Sequence, residues 1–160
     1  VHFQEYMVKR GAKDPVLGVD FIGAKAAKPA LGVLEAIRTS SLIVVCPSNP
    51  IVSIGTILSV NGVRDALKAS RAKKVALSPL IAGAPIKGPA DKLLRGLGIE
   101  VSAYSVAKLY CDFLDTFILD VADASEKGRI EALGLEVKIA HTLMKNLECK
   151  VDLARAVLAK

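Results

Sequence analysis

A short apolar run that ends in a proline-bounded turn limits the folds open to this chain more than any other feature. Residues 43–46 are rich in β-branched side chains and are followed by Pro47-Ser48-Asn49-Pro50. A helix-compatible stretch, residues 54–69, comes next. This order predicts a buried strand, a tight turn and a helix whose N-terminus faces the strand's carboxyl end. In open α/β sheets, ligands bind at that edge.

The turn and the start of the helix carry groups that bind anions. The first turn of a helix has unpaired N–H groups and a partial positive charge, which attract phosphate. Ser48, Asn49 and Ser53 offer side-chain donors, and Gly55 lacks a Cβ, so a phosphate can approach the backbone there. The same residues are typical of an ordinary turn and an ordinary N-cap at Ser53, and that alternative stays open. The loop matches neither a Walker A loop nor the G-x-G-x-x-G fingerprint.

A second loop resembles the first in its position after an apolar run. Residues 75–77 are followed by Ser78-Pro79, and Lys87 and Gly88 stand just before a helix start at Pro89. Two such loops after neighbouring parallel strands lie at the same edge of the sheet, where they would hold a diphosphate with Lys87 as a point charge. The alternative is that glycine and proline only shape the turn and that Lys87 is solvated.

Apolar runs and amphipathic stretches alternate along the whole chain. Strands are predicted at 16–23, 42–46, 74–78, 99–102, 116–121 and 136–139, and helices at 31–39, 54–69, 89–97, 106–113, 126–133 and 153–158. This alternation predicts an α/β fold with a mostly parallel sheet and helices on both faces. No linker or internal repeat interrupts it, so residues 1–160 are predicted to form a single domain.

Composition and charge narrow the function classes. No apolar run approaches the ~18 residues of a membrane span, and no signal-peptide pattern is present, so a membrane partner is not expected. The net charge of +6 lies entirely in residues 1–80, which suits an anionic small molecule. Aromatic residues make up only 4% and do not alternate with the basic ones, so nucleic acid is not expected as a partner. Three widely spaced cysteines favour free thiols in the cytoplasm.

Two carboxylates, Asp120 and Asp123, follow a predicted strand at the same edge. Paired carboxylates can bind Mg²⁺, which prefers oxygen ligands and substrate phosphates. Such residues more often form turns and cap helices, so both interpretations are kept. The two histidines stand apart from the cysteines and from each other, so a zinc site is not expected.

Many short motifs resemble those of the 2-phospho-L-lactate transferases, which build the deazaflavin coenzyme F-420. The resemblance covers nearly the whole chain. Its motifs are His2-Phe3-Gln4-Glu5-Tyr6 with Val8, Leu34-Glu35-Ala36-Ile37, Pro47-Ser48-Asn49-Pro50, Ser53-Ile54-Gly55, Gly62-Val63-Arg64, Ser78-Pro79, Lys87-Gly88-Pro89-Ala90-Asp91-Lys92, Leu97-Gly98, Val106-Ala107, Tyr110, Asp112-Phe113, Asp120 and Thr142-Leu143-Met144.

The resemblance implies a Rossmann-like enzyme that uses a guanosine diphosphate-activated donor. Such an enzyme moves a 2-phospholactyl or phosphoenolpyruvyl group to the ribitol alcohol of a deazaflavin acceptor, releases GMP and is assisted by Mg²⁺. The two loops would then face the nucleotide phosphates. Their site residues would be Ser48, Asn49, Ser53, Gly55, Ser78, Lys87 and Gly88.

The resemblance also implies that the chain corresponds to the carboxyl-terminal half of the family's sequence. The fold would then be incomplete at its amino-terminal side, the Mg²⁺ ligands would lie in the other half, and the chain alone would be inactive. An exposed sheet edge or apolar helix face would allow a homodimer. The alternative function is a non-catalytic regulatory protein of the same superfamily that binds a nucleotide-sugar. Those regulators would carry Gly-Pro-Gly-Ser and a tyrosine where this chain has Pro-Ser-Asn-Pro.

Overall fold

The computed structural model describes residues 1–159 of the chain as a sheet of parallel strands packed against helices. A π-helical turn at Glu5–Lys9 precedes these elements, and a 3-10 helix at Val121–Glu126 follows the fifth strand. The strands are Leu42–Val45 (β1), Lys73–Leu77 (β2), Leu80–Ile81 (β3), Ala84–Pro85 (β4), Thr116–Asp120 (β5) and Glu136–Ala140 (β6). The helices are Val33–Thr39 (α1), Ile54–Ser59 (α2), Val63–Ala69 (α3), Ala90–Gly96 (α4), Ala103–Tyr110 (α5), Lys127–Glu131 (α6) and Leu147–Leu158 (α7).

The main sheet is parallel and has four strands in the order β1-β2-β5-β6. Val44 lies opposite Val75 in the β1–β2 pair, and Ala76 lies opposite Phe117 in the β2–β5 pair. Strands of a parallel sheet are covered on both faces, which explains the apolar runs at residues 42–45, 75–77 and 117–119. Every residue of β5 is buried. The predicted α/β class with a mostly parallel sheet is confirmed.

The two faces of the sheet are covered by different helices. The strands follow one another in chain order, so right-handed crossovers place the connecting helices on one face, where they build the main core around Phe117 and Leu119. Side chains alternate along a strand, so Ile118 points to the second face, where it packs with Val75 and with Leu153 of α7. Helices therefore lie on both faces, as the sequence predicted, with α7 on the second.

Two predicted strands are wrong. Residues 16–23 form an irregular segment and no strand. Val16 and Val19 pack against the core from this segment, and Gly23 at its end has a left-handed φ of 79°, which is incompatible with a strand. Residues 99–102 join α4 to α5, where the N–H of Ile99 donates to the Leu94 carbonyl and Ser102 caps α5. Backbone groups used for caps are not available to a strand ladder.

Other elements differ from the predictions in extent. The helix predicted at 54–69 is divided into α2 and α3, because Gly62 has a left-handed φ of 86°. The helix predicted at 126–133 begins as the 3-10 helix and continues as α6. The β3–β4 hairpin was not predicted. Ala82 and Gly83 at its turn have φ values of 51° and 67°, as in a type I′ turn.

The final helix, α7, begins six residues before the predicted start at 153. The Asn146 side chain accepts a hydrogen bond from the Cys149 N–H at 2.9 Å and so caps the helix. Across residues 1–159, no helix combines the length and the apolar character that crossing a membrane requires.

Candidate functional site

A cleft of about 530 Å³ opens where β1, β2 and β6 end. The loop after β1, residues 47–53, is called the first loop, and residues 86–89, just before α4, are called the second loop. Both contribute to the lining, together with Ser78 after β2 and Thr142 after β6. Six of the seven residues predicted to bind the nucleotide phosphates line this cleft: Ser48, Asn49, Ser53, Ser78, Lys87 and Gly88.

The first loop satisfies many of its own polar groups. The Oδ1 atom of Asn49 accepts hydrogen bonds from the N–H groups of Ile51 at 2.9 Å and Val52 at 3.2 Å. The Asn49 carbonyl accepts from the N–H groups of Ser53 and Ile54. Asn49 therefore caps the turn that leads into α2, and the amides that a phosphate would otherwise meet already have partners. The Ser53 side chain makes no capping hydrogen bond.

Gly55 is the predicted site residue that lies outside the cleft. It contributes instead to a second cavity of about 370 Å³. Its N–H donates to the Pro50 carbonyl at 3.0 Å, and a Cβ added at Gly55 would lie 3.0 Å from that same oxygen. Close packing of the turn against the helix explains why glycine stands at this position. The structure gives no reason to place a phosphate there.

Ser78 holds the chain as it leaves β2. Its side chain is buried, and its hydroxyl both donates to the Leu80 carbonyl and accepts from the Leu80 N–H at 3.1 Å. Its N–H donates to the Ile118 carbonyl in β5 at 2.8 Å. Ser78 therefore shapes the wall of the cleft through bonds within the protein, and its hydroxyl is committed to its own turn.

The second loop differs because its charged group is exposed. Lys87 makes no hydrogen bond or ion pair with any residue from 1 to 159. Gly88 has a left-handed φ of 76°, which a residue with a Cβ adopts only with strain. Among the described residues that line the cleft, Lys87 is the only one with a charged side chain. The cleft therefore combines apolar walls with a single cation and suits an anion attached to an organic group.

A third part of the lining, Thr142-Leu143-Met144, was not among the predicted site residues. Asp120, at the end of β5, fixes it by accepting hydrogen bonds from the Thr142 N–H at 2.8 Å and the Thr142 hydroxyl at 3.0 Å. Asp120 also accepts from the Ala122 N–H at 3.0 Å. Burial opposes the charge on Asp120, but these donors outweigh it and lower the pKa of Asp120. The position of Thr142 just after a predicted strand was the signal that could have revealed it.

Asp123 holds the β3–β4 hairpin in the same way. Its two carboxylate oxygens accept from the N–H groups of Ala82 and Gly83, both at 3.0 Å. Burial raises the pKa of Asp123, assisted by the charges of Asp120 and Glu126, and the two amide donors only partly offset this. The hairpin leads directly into the second loop, so Asp123 supports the segment that carries Lys87.

Asp120 and Asp123 thus accept hydrogen bonds that fix turns and neighbouring segments, the more common of the two roles considered for them. Their oxygens already receive amide or hydroxyl donors, which leaves them poorly suited to Mg²⁺. Residues 1–159 bring together no group of three or more acidic, histidine or cysteine side chains that could hold a metal ion. These residues therefore do not fit a magnesium site.

Comparison with known proteins identifies the family. A family model described as 2-phospho-L-lactate transferase CofD matches residues 1–155. The chain belongs to this family. The CofD resemblance inferred from the short motifs is confirmed over nearly the whole sequence.

Relatives of the CofD-family chain carry two related names. A phosphoenolpyruvate transferase of Kitasatospora aureofaciens is 45% identical over 160 residues, which are 99% of this chain and 50% of the relative. A 2-phospho-L-lactate transferase of Methanosarcina barkeri is 42% identical over 158 residues, again 99% of this chain and 50% of the relative. The chain therefore spans about half the length of these relatives, both of which are named as transferases.

Solved structures support the fold. Protein BH3568 from Bacillus halodurans matches with a TM-score of 0.56 and 21% sequence identity, and the match covers 82% of this chain and 47% of that protein. At this level of identity the similarity concerns the fold alone. It agrees with the α/β architecture of the CofD-family chain.

Proposed function

We propose that this chain supplies the donor-binding edge of a transferase in coenzyme F-420 biosynthesis. The reaction moves a 2-phospholactyl or phosphoenolpyruvyl group from a guanosine diphosphate-activated donor to the ribitol alcohol of a deazaflavin. Membership of the CofD family supports a reaction of this kind. The observation that carries the role of this chain is the cleft in which Lys87 is the one charged side chain among the described lining residues.

Lys87 holds the diphosphate of the donor in this proposal. The described residues that line the cleft include no carboxylate, so the ammonium group attracts phosphate without competition from them, and its hydrogen bonds to phosphate are charge-assisted. The exposed side chain has three donors to offer. Ser48, whose hydroxyl makes no hydrogen bond with residues 1–159, adds a neutral donor from the first loop. Asn49, Ser78 and Gly88 shape the walls between which the diphosphate sits.

The reaction balances as a substitution at phosphorus. The ribitol oxygen forms a bond to the phosphorus that carries the lactyl or enolpyruvyl group, and the bond from that phosphorus to the bridging oxygen breaks. GMP leaves with the electron pair, and the alcohol proton passes to a base. Charge grows on the departing phosphate, where the Lys87 ammonium stabilises it. The described lining residues include no carboxylate or imidazole, and we place the base in the part of the transferase that this chain does not span.

Mg²⁺ belongs to this proposal as a cofactor that neutralises phosphate charge when it is bound. Because Asp120 and Asp123 are committed to backbone and hydroxyl donors, we place its ligands in the part of the transferase that this chain does not span. The corresponding assignment of this chain to the carboxyl-terminal half, with no activity alone, is part of the same proposal. The three cysteines are free, which suits a reducing cytoplasm.

Calorimetric titration of this chain with GDP and, separately, with UDP-glucose tests the proposal, both in the presence of Mg²⁺. We expect saturable binding of GDP with at least tenfold preference over UDP-glucose. UDP-glucose is included because the alternative function, a non-catalytic nucleotide-sugar-binding regulator, predicts the reverse order. The relatives' names favour the transferase.

Each outcome has a distinct meaning. Preference for UDP-glucose would replace the transferase with the regulator. Absence of binding to both nucleotides would show that the cleft in this chain does not hold the donor phosphates by itself, and the proposed role of Lys87 would be withdrawn. Family membership rests on the sequence match and is independent of either result.

A further inference from the structure

The second cavity, of about 370 Å³, is separate from the cleft, and the two share no residue among those described as lining them. It is bounded by α2, α3 and α5, by residues 19–21 and by residues 97–99 after α4. Most of the side chains that line it are apolar, among them Phe21, Leu58 and Ile99. Two polar side chains, Arg64 and Tyr110, interrupt this apolar lining.

The hydroxyl of Tyr110 is buried and has no partner. Tyr110 is 2% exposed, and its hydroxyl makes no hydrogen bond with any residue from 1 to 159. Burial raises the pKa of Tyr110, and the Arg64 charge only partly opposes this, so the hydroxyl keeps its proton at neutral pH. Because a buried donor without an acceptor costs free energy, native proteins supply an acceptor from the chain, from water or from a ligand. Tyr110 therefore indicates that an acceptor enters the cavity.

Arg64 brings a second uncommitted donor to the same wall. Its Nε and Nη2 atoms donate to Asp112 at 2.8 and 2.6 Å, and Nη2 also donates to the Leu109 carbonyl at 2.7 Å. The Nη1 atom makes no hydrogen bond within residues 1–159, so its N–H groups remain for a ligand. Arg64 and Tyr110 both pack against Phe113, with the Arg64 Cζ atom 5.4 Å and the Tyr110 ring centroid 5.9 Å from its ring centroid.

The charges around Arg64 do not cancel. Lys68 also pairs with Asp112, at 2.8 Å, so two cations share one carboxylate. The hydrogen bond from Arg64 lowers the pKa of Asp112 to about 2, and this group of three side chains keeps one positive charge at neutral pH. Arg64 is the only charged side chain among the described residues that line the cavity. One negative charge on a ligand would therefore balance the wall.

We propose that the second cavity binds a small carboxylic acid with an apolar body. The carboxylate accepts hydrogen bonds from the Tyr110 hydroxyl and the Arg64 Nη1 atom, and the body packs against apolar side chains such as Leu58. An apolar cavity of this volume with a few convergent polar groups is the usual form of a small-molecule site. The proposal concerns residues outside the cleft and does not rest on the proposed function.

Titration with octanoate tests the proposal, at neutral pH and without nucleotide. Calorimetry measures the affinity, and methyl NMR spectra locate the site. We expect saturable shifts of the Leu58, Ile99 and Leu109 methyl signals at octanoate concentrations that leave Ile86 and Leu143 of the cleft unchanged. The control ligand is 1-octanol, which has the same apolar chain without the charge. We expect it to bind about tenfold more weakly, because it forms no charge-assisted hydrogen bonds.

Two matched variants test the hydroxyl. Tyr110→Phe keeps the ring and is expected to weaken octanoate binding about tenfold. Stability should stay the same or rise, because the hydroxyl has no partner in the free chain. Tyr104→Phe removes a hydroxyl from the same helix, outside the cavity, where the ring lies 4.2 Å from the Arg129 Cζ atom. It is expected to leave octanoate affinity unchanged. The comparison of octanoate with 1-octanol uses the unaltered chain and decides even if Tyr110→Phe does not fold.

Four results would overturn the proposal. Absence of octanoate binding would leave water as the acceptor for Tyr110. Binding of 1-octanol as tight as that of octanoate would show an apolar cavity that does not recognise a carboxylate. Equal effects of Tyr110→Phe and Tyr104→Phe on the affinity would remove the Tyr110 hydroxyl from the site. Methyl shifts confined to Ile86 and Leu143 would place the acid in the cleft. GDP is absent throughout, so these results are separate from the nucleotide titration.

Discussion

The two loops that line the cleft occupy similar positions before a helix but use their polar groups differently. Both follow a strand of the parallel sheet, directly or after a hairpin, and both contain proline and precede a helix. In the first loop, the Asn49 side chain accepts the amide hydrogens of Ile51 and Val52 in the turn before α2, so the loop satisfies its own polar groups. In the second loop, Lys87 has no partner within residues 1–159. A polar residue near the start of a helix is therefore available to a ligand only where its hydrogen-bonding groups have no partner within the protein.

Lys87→Ala tests the binding side of this comparison and has the largest expected effect. Loss of a charge-assisted contact to phosphate costs about 1.5–3 kcal/mol, which corresponds to roughly a 10- to 100-fold weaker GDP affinity. Stability should not change, because Lys87 makes no hydrogen bond or ion pair within residues 1–159. Titration calorimetry and chemical unfolding measure the two quantities. Lys108→Ala, at an exposed lysine of α5, is the control, and equal weakening by both variants would exclude a specific role for Lys87.

Asn49→Ala tests the structural side. It removes the acceptor of two amide hydrogens, and loss of such a cap costs about 1 kcal/mol of unfolding free energy. GDP affinity should change by less than about threefold if Asn49 acts mainly through the turn. Asn49→Asp keeps the acceptor oxygens, so we expect it to retain stability while its negative charge weakens GDP binding. If Asn49→Ala reduced the affinity as much as Lys87→Ala, the contrast between the loops would be wrong.

The serines extend the comparison to neutral donors. Ser48→Ala removes a hydroxyl that has no partner within residues 1–159, and a hydrogen bond from such an uncharged donor to a solvent-exposed phosphate contributes roughly 0.5–1.5 kcal/mol. We expect GDP affinity to fall about threefold with stability unchanged. Ser78→Ala should do the opposite, because its buried hydroxyl bonds to Leu80 and its loss destabilises the turn. Calorimetric titration with GDP and chemical unfolding measure both variants. If Ser48→Ala and Ser78→Ala changed affinity and stability in the same way, the different roles given to the two serines would be wrong.

The smallest expected effect concerns pH. Asp123 supports the hairpin before the second loop and has a raised pKa, whereas the pKa of Asp120 is lowered. As pH falls, Asp123 takes up a proton before Asp120 does. Because its pKa is higher in the native state than in the unfolded chain, this protonation stabilises the native state. It also weakens the hydrogen bonds that the Asp123 carboxylate accepts from the Ala82 and Gly83 amides. The stability that Asp120 contributes is present above about pH 4 and is lost as pH falls through its lowered pKa.

Carboxyl ¹³C titration by NMR measures the two midpoints, with Asp123→Asn to assign the signals. We expect the Asp123 midpoint to lie above that of Asp120 and the amide shifts of Ala82 and Gly83 to follow it. Coincident midpoints would show that the two clamps titrate together. Separate midpoints, with that of Asp123 the higher, would distinguish the carboxylate that supports the second loop from the one that holds Thr142.

Much of the fold follows from the sequence because the strands contain apolar residues in patterns typical of strands, as a continuous run in β1 and in alternation with Glu136 and Lys138 in β6. β1, β2, β5 and β6 all lie within one residue of the predicted positions. The predictions fail where apolar residues reach the core from irregular segments, as Val16 does. They also miss the β3–β4 hairpin, because alanine at a positive φ gives no signal in the sequence.

The sequence also locates the cleft, because the carboxyl ends of parallel strands meet at one edge. It does not reveal which polar groups are already hydrogen-bonded, and this depends on contacts between distant segments. Asp123 reaches back about forty residues to Ala82, and Asp120 reaches forward to Thr142. Gly55 illustrates the same difficulty locally, because its close approach is to the Pro50 carbonyl and not to a ligand.

The order of the strands has a consequence for how the chain acquires its structure. Each strand of the main sheet pairs with the strand that precedes or follows it in that sheet, so no distant segment must be found first. Local closure costs less chain entropy than distant closure and allows faster folding. The sheet can therefore grow during synthesis from β1 towards β6, one strand at a time. β1 is then the first of these four strands in place.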